Sequence, residues 1–393
     1  MSNPEQFGNV IRLGIIGVGQ QGGFYSGLLA EHKVAHMRLG ALCDIDPAKK
    51  ARADELQVGF FSDYHDLLAS GQVDAVVTTV PHYLHPQIAM DAIARGVPVL
   101  IEKPAGVYTK QVDEMFAFAD QHPQVPFGIM FNQRTNPLYV DLKRLIESGE
   151  LGSMRHTSWI ITTWWRPAEY YKQSSWRATW GGEGGGVLVN QAPHQLDLWQ
   201  WLCGRPRRCF ARLGFGFHRD IATESEVNAV VDFGDDRSGT FTTCTHDMIG
   251  TDRLEILFDQ GKVVVEDSSK VAITRLVRPE QVISDELTWD QVSQAFAGGL
   301  DASGYATTQT KEYSSQWGSQ HASVLENFAQ HVLTGTPLIA DGHEGRNGVL
   351  LANAMQLSAW LDEDVDMVNF PAERYLAELN RRITAEGTFP VRS

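Results

Sequence analysis

Cysteine is scarce in this 393-residue chain, and Cys43, Cys203, Cys209 and Cys244 stand singly, with no CxxC pair and no zinc-type spacing to histidine. A disulfide scaffold and a cysteine-built metal site are excluded on that ground, and a reducing compartment is expected. Long apolar runs are missing too. Nothing reaches the ~18 residues a membrane helix needs, and polar Met1 to Val10 lead straight into the first strand-like run at Ile11, leaving no room for a secretion leader. Lys/Arg-rich runs are absent, and 33 basic against 48 acidic residues give a formal charge of −15. Such a field repels phosphate backbones and anionic membrane surfaces. The expectation is a cytoplasmic protein with neither nucleic acid nor membrane as a partner.

What is present is ordinary globular material, 43% hydrophobic, 21% charged and 10% aromatic, in a chain long enough for two domains. From residue 11 to about 132, short apolar runs alternate with helical stretches, the pattern of βαβ units and a parallel sheet. The strands read as Ile11–Gly17, Met37–Cys43, Ala75–Val80, Val97–Ile101 and Phe127–Phe131. After 132 the grammar changes to a helix at Pro137–Ser148 and alternating runs through 154–163, 207–217, 226–233, 238–245, 253–258, 262–266 and 271–277, which predicts antiparallel hairpins. The fold class expected is α/β: a doubly wound parallel-sheet domain over 1–132 and an α+β domain over 133–393, whose final helices pack back on the first. Residues 297–320, rich in Gly, Ser and Thr, read as a long loop. A helix over Ala322–Leu333 carries one apolar stripe.

Gly17-Val18-Gly19-Gln20-Gln21-Gly22 follows the first strand and opens a helix, giving G-x-G-x-x-G in the context that makes a dinucleotide site credible. The first glycine permits the turn, the second lets backbone approach a pyrophosphate, and the third packs helix on strand. Asp44 ends the second strand, where a carboxylate accepts bonds from ribose hydroxyls and repels a 2′-phosphate. NAD is favoured over NADP. The strand Val97–Ile101 ends in Glu102-Lys103-Pro104, and a lysine at such a strand end can stabilise the alkoxide that forms as hydride leaves carbon.

At Glu102-Lys103-Pro104 the sequence resembles the Gfo/Idh/MocA oxidoreductases, of which this tripeptide is a signature. Val80-Pro81-His82 with His85-Pro86 is similar to the family's stretch under the nicotinamide, with His82 where Asn is commoner. Gly128 to Arg134 is similar to its G-x-x-x-N-x-R pattern, and Gly184 to Asp197 resembles its G-G-G…D-x-x-x-H-x-x-D block. The resemblance implies a Rossmann N-domain and a C-domain with a large open antiparallel sheet that pairs subunits into homodimers or homotetramers. It implies Gly17, Gly19, Gln20, Gln21, Gly22, Asp44, Val80, Pro81, His82, His85, Glu102, Lys103 and Asn132 on the cofactor side. His194 becomes the base, Lys103 its partner, and Asn190 stands where the family usually has Asp. An amide can orient hydroxyls but cannot relay a proton. Independently of the resemblance, Asn190, His194 and Asp197 fall on one side of a helical segment, and Pro193 opens a regular helix that favours a neutral imidazole at His194.

Five of ten tryptophans (Trp159, Trp164, Trp165, Trp176, Trp180) lie between 159 and 180 beside Arg166, Tyr170, Tyr171 and Arg177. Aromatics mixed with arginine can stack on a sugar ring, or pack a loop or an interface. Lys103, Arg134, Trp164, Trp165, Arg166, Tyr170, Trp176, Asn190 and His194 are the candidate substrate residues. No metal is expected. The reading is an NAD-dependent dehydrogenase oxidising a secondary ring hydroxyl of a sugar or an inositol-like polyol, a neutral one given the acidity of the chain. The alternatives are a redox-neutral enzyme that recycles NAD in place on glycosides, and a non-catalytic sensor.

Overall fold

Strands of uniformly apolar residues must be covered on both faces, and the first part of the chain builds such strands. In the computed structural model, which describes residues 9–298, 304–314, 316 and 318–392, β1 (Ile11–Ile16), β2 (Met37–Cys43), β3 (Gly59–Phe61), β4 (Ala75–Thr78), β5 (Val99–Ile101) and β6 (Phe127–Ile129) form a parallel sheet. Its order is β3-β2-β1-β4-β5-β6. Ile11, Leu13, Ile15 and Val77 point into one core, and Ile16, Val76, Val99 and Ile101 into the other. The helices α1 (Gln20–Ala30), α2 (Lys50–Leu56), α3 (Tyr64–Ala69), α4 (His85–Ala94) and α5 (Thr109–Asp120) connect and cover the strands. The edge strand β3 was not anticipated; three half-buried residues are too few to show a period. The strand order reverses between β1 and β4, which opens a crevice at the C-terminal ends of those strands.

After α6 (Pro137–Glu147) come β7 (Met154–Ile161), the single turn α7 (Ala168–Tyr171) and α8 (Pro193–Cys203). The strands β8 (Arg208–Phe215), β9 (Glu224–Gly234), β10 (Arg237–Cys244), β11 (Asp252–Phe258), β12 (Gly261–Glu266) and β13 (Lys270–Leu276) follow, then α9 (Glu280–Glu286), α10 (Trp289–Gly298) and β14 (Ala306–Glu312). The chain continues through α11 (Ser319–Thr334), α12 (Gly345–Leu361), β15 (Val365–Asp366) and α13 (Ala372–Glu386). Nine strands form one sheet, ordered β14-β13-β12-β11-β7-β10-β9-β8-β15. The expected fold class is thus the one observed, with one correction to the hairpin reading: β7 and β10 run parallel, Thr157 opposite Gly239. A long excursion separates β7 from the next strand in sequence, so its neighbours arrive later.

Period-two alternation decides which face of the second sheet is covered. Val227, Ala229, Val231 and Phe233 of β9 turn inward onto Trp199 of α8 and onto α12, while Asn228, Val230 and Asp232 face outward. The loop expected over 297–320 needs correcting as well. Residues 306–312 form β14, paired antiparallel with β13 from Lys270–Glu312 to Leu276–Ala306. An exposed edge strand made of Thr, Gln, Lys and Glu carries no apolar period to reveal it; residues 299–303, 315 and 317 of that stretch lie outside the described residues.

α11 crosses back to the first sheet. Val324, Leu325, Phe328, Ala329, Val332 and Leu333 join the core of Ile11, Leu13 and Ile15, each large side chain contributing ~1.5–3 kcal/mol if burial is complete. This return brings the first turn of α11 to the crevice. No helix among the described residues is long and apolar enough to cross a membrane.

Candidate active site

The loop between β1 and α1 has the shape its glycines require. Gly17 has φ +95°, and a Cβ on Gly22 would lie 1.9 Å from Gly17 O, so neither position tolerates a side chain. Gly19, the N-cap of α1, has nothing within 4 Å of where its Cβ would be. The first-turn N–H groups are therefore open to a phosphate. Asp44 Oδ2 accepts from Val18 N at 2.6 Å, and Oδ1 from Asp46 N at 2.9 Å. These bonds hold the glycine loop and leave lone pairs on each oxygen for ribose hydroxyls. Residues Gly17 to Gly22 with Asp44 fit a dinucleotide.

Beyond β4, His82 is buried, its ring edge-on to Trp176 at 5.9 Å and its Nδ1 3.4 Å from Glu183 O. Burial, aided by the charges of His85 and Lys103, keeps its pKa well below the ordinary value. His85 departs from its expected role. Its two nitrogens lie 2.8 Å from Pro104 O and 2.9 Å from Val80 O, so the ring sits between the loop after β4 and the loop after β5, with both nitrogens covered by backbone.

Glu102 accepts from Tyr25 Oη and from Lys103 N. Lys103 Nζ donates to Asn190 O at 3.0 Å, bridging the end of β5 to the segment before α8. Burial pulls the Lys103 pKa down against the opposing charges of Glu102 and Glu183. Pro193 occupies the first turn of α8, as expected, and sets His194 beside it. His194 Nδ1 is buried and has no hydrogen-bond partner among the described residues. Burial first, then the charges of Lys103 and His321, hold the imidazole neutral. A neutral ring with an unmatched nitrogen is fit to take a proton.

Two site residues escaped the sequence reading. Glu183, 2% exposed, accepts from Ala178 N at 2.6 Å and from Asn190 Nδ2. With Nδ2 of Asn190 donating to Glu183, Oδ1 is left as the free acceptor. The available signal was a lone acid inside Gly181-Gly182-Glu183-Gly184-Gly185-Gly186. His321, on the first turn of α11, lies against the Phe24 and Tyr25 rings and 3.5 Å from Asn132 Nδ2. It gave no local signal, because only the fold brings α11 here.

Arg134 is not brought to this group. Nε and Nη2 bind Asp197 at 2.9 and 2.6 Å, and Nη1 binds Glu344 at 2.6 Å, in a site where Arg134 and Asp197 are each only 2% exposed by side chain. Its expected substrate role is replaced by a buried ion triad. Of the tryptophans, Trp159 donates to Asp252 from within the core, and Trp180 packs on Trp360, so neither faces a ligand. Trp164 leans on the core of the second sheet and Trp165 is exposed. Tyr170 accepts from Arg177 Nη1 at 2.7 Å and Gln191 Nε2 at 3.4 Å, which joins the 166–177 segment to the residue after Asn190. Among the described residues no group of three His, Cys, Asp or Glu side chains is placed to hold a metal ion.

Burial pushes the Glu183 pKa up to about 7. Its ordinary value, ~4.5, is that of the unfolded chain, so between the two the folded state holds a proton that the unfolded state has lost. That contribution weakens the fold as pH rises through this window. Glu183→Gln removes it. Urea midpoints at pH 5.5 and 8 are expected to show the variant gaining relative to the parent at the higher pH; an unchanged difference would mean that Glu183 stays ionised throughout.

Comparison with known proteins agrees with this geometry. Residues 11–129 match the family described as "Oxidoreductase family, NAD-binding Rossmann fold", and residues 139–264 match "GFO/IDH/MocA C-terminal domain". The rhizopine catabolism protein MocA of Rhizobium meliloti is 28% identical over 194 residues, 49% of this chain and 57% of its own. An inositol 2-dehydrogenase/D-chiro-inositol 3-dehydrogenase of Lactiplantibacillus plantarum is 27% identical over 197 residues, 49% of this chain and 53% of its own. The matched stretch spans about half the length of these curated relatives. Among solved structures, the WlbA dehydrogenase of Bordetella pertussis, in complex with NADH and UDP-GlcNAcA, has TM-score 0.72 and 23% identity, covering 91% of this chain and 98% of its own. A levoglucosan dehydrogenase in complex with NADH has TM-score 0.76 at 18% identity, covering 91% and 99%.

Proposed function

Since the chain belongs to the Gfo/Idh/MocA family of oxidoreductases, we propose that it is an NAD-dependent dehydrogenase oxidising a secondary ring hydroxyl of a sugar, sugar derivative or cyclic polyol to a ketone. The observation that carries this reading is the Lys103 Nζ bond to Asn190 O, four residues before a buried His194 that feels the Lys103 charge and whose Nδ1 lacks a partner among the described residues. Bound NAD supplies the acceptor for the hydride. His194 takes the hydroxyl proton. Lys103 donates to the same oxygen and stabilises the negative charge it gathers as the carbonyl forms, in surroundings where water competes little. Asn190 Oδ1, held outward by Glu183, accepts from a neighbouring ring hydroxyl and so fixes which carbon is presented.

The selection of NAD over NADP rests on Asp44, whose carboxylate would meet a 2′-phosphate. Arg52, the arginine next along the chain, is engaged by Glu55 and Ser26. A ring polyol as substrate is supported by the inositol and levoglucosan dehydrogenases among the similar proteins. The outer face of the second sheet exposes Ile160, Phe210, Val230 and Leu257, which supports its burial against a second copy; light scattering at the mass of one chain would refute that. The dehydrogenase itself is tested with NAD and a panel of inositols, anhydrosugars and methyl glycosides, followed at the NADH absorbance. Turnover that scales with added NAD is expected. NADH binding without turnover of any member would sink the reading.

A further inference from the structure

Arg166 and Arg177 belong to the segment that Tyr170 ties to Gln191, the residue after Asn190. Each guanidinium lies over the Tyr170 ring, at 5.0 and 4.8 Å, and gives its Nη1 to a neutral oxygen: Arg166 to Trp165 O at 3.1 Å, Arg177 to Tyr170 Oη at 2.7 Å. Neither meets a carboxylate at ion-pair distance among the described residues, although the chain has 48 of them. The Nε of each is buried with no hydrogen-bond partner, and so are Ser174 Oγ and Trp164 Nε1 in the same segment. Four unmatched polar atoms within fourteen residues, 164 to 177, are far from what a settled surface loop shows, because a buried donor without an acceptor is costly.

The segment is held in place before any ligand arrives. Arg166 N donates to Thr245 O at 2.8 Å, Arg219 Nε to Arg166 O at 2.7 Å, and Tyr171 Oη to Thr245 Oγ1 at 3.0 Å. The positive fields of Arg166 and Arg177 reach Lys103, and that of Arg177 reaches Glu183 and His82. The two cations therefore act on that group from the second domain, and the Tyr170 ring beneath both guanidiniums is bonded by Gln191, the residue after Asn190. Neutral sugars give them nothing to neutralise.

Resting on the dehydrogenase reading, we infer that the substrate is a sugar acid whose carboxylate is received by Arg166 and Arg177 while a ring hydroxyl lies between Lys103 and His194. The overall charge of −15, which favoured a neutral sugar, does not oppose this. Exposed charges more than a Debye length away, ~8 Å in physiological salt, are screened, whereas a contact pair is not. Charge-assisted bonds from guanidinium to a planar carboxylate are strong and directional.

The test compares methyl glucuronide and methyl galacturonide with methyl glucoside and methyl galactoside and with glucose 6-phosphate, using NAD, in the parent chain and in Arg166→Gln/Arg177→Gln. The uronides are expected to exceed their neutral parents in kcat/KM by on the order of 10- to 100-fold, and the double variant is expected to bring that ratio near one while NADH titration of tryptophan fluorescence stays within about twofold. Calorimetric binding of methyl glucuronide to the NADH-loaded protein gives the same comparison without turnover. Neutral glycosides equal to or better than the uronides overturn the inference and leave the dehydrogenase intact. A preference for glucose 6-phosphate overturns the carboxylate class. Loss of NADH affinity in the variant assigns the arginines to the cofactor phosphates, which also overturns it. No turnover and no binding of any member to the NADH-loaded protein overturns both readings.

Discussion

Replacing Lys103 with methionine is expected to lower kcat by about a hundred- to thousandfold while NADH affinity changes only a few-fold. The size follows from what one positioned donor is worth when charge develops on a carbonyl oxygen inside a water-poor site. Methionine keeps the unbranched length and removes the ammonium. The direction of the split follows from position: Nζ reaches across to Asn190 O at 3.0 Å, toward the second domain, while the phosphate-binding glycines lie at the β1–α1 turn. Lys103→Arg keeps a charge but spreads it over a planar fork that a point-like site cannot seat, and intermediate activity is expected. The measurement is a stopped-flow trace of NADH formation at saturating substrate beside an NADH titration. Equal losses in both would make Lys103 a cofactor ligand, and an unchanged kcat would remove it from the chemistry.

The Lys103 position was legible in the sequence because a strand end and a signature tripeptide coincide there, in the same run of βαβ units that the glycine loop opens, where local patterns report on the sheet directly. The second sheet was legible strand by strand, since each alternates, but not in its pairing. β7 meets β10 in parallel only after the 75 intervening residues, 162–236, have folded elsewhere, and no local period encodes that. α12 was missed for a different reason. Residues 348–358 are all buried, so the helix lacks the polar face that gives a 3.6-residue period its contrast. At the site, the side chains that do the proposed chemistry were visible, whereas Glu183 and His321, which set their orientation and charge, were not. Their roles depend on contacts between segments far apart in sequence.

Arg134 shows the same limit from the other side, because a residue type suited to a sugar was read as a ligand and the fold spends it elsewhere. The guanidinium is in a doubly bonded pair with Asp197 and a third bond to Glu344. Burial works against its charge, and the hydrogen bonds and charge of Asp197 outweigh burial, holding the Arg134 pKa above its ordinary value. Asp197→Asn is expected to cost about 3–5 kcal/mol, because it leaves a buried cation without its main counter-charge. Arg134→Met alone is expected to cost a similar amount by stranding the Asp197 carboxylate. The double variant Arg134→Met/Asp197→Leu removes both charges together, and its loss is expected to fall well short of the sum of the single losses, an interaction that a double-mutant cycle of urea midpoints measures directly. Asp197 lies one turn after His194 on α8, so the pair also fixes the helix that presents the base to the crevice. The destabilised single variants are therefore expected to lose kcat through the position of His194 and to recover it in the double variant. A rise in KM for Arg134→Met at unchanged stability would return this arginine to the substrate.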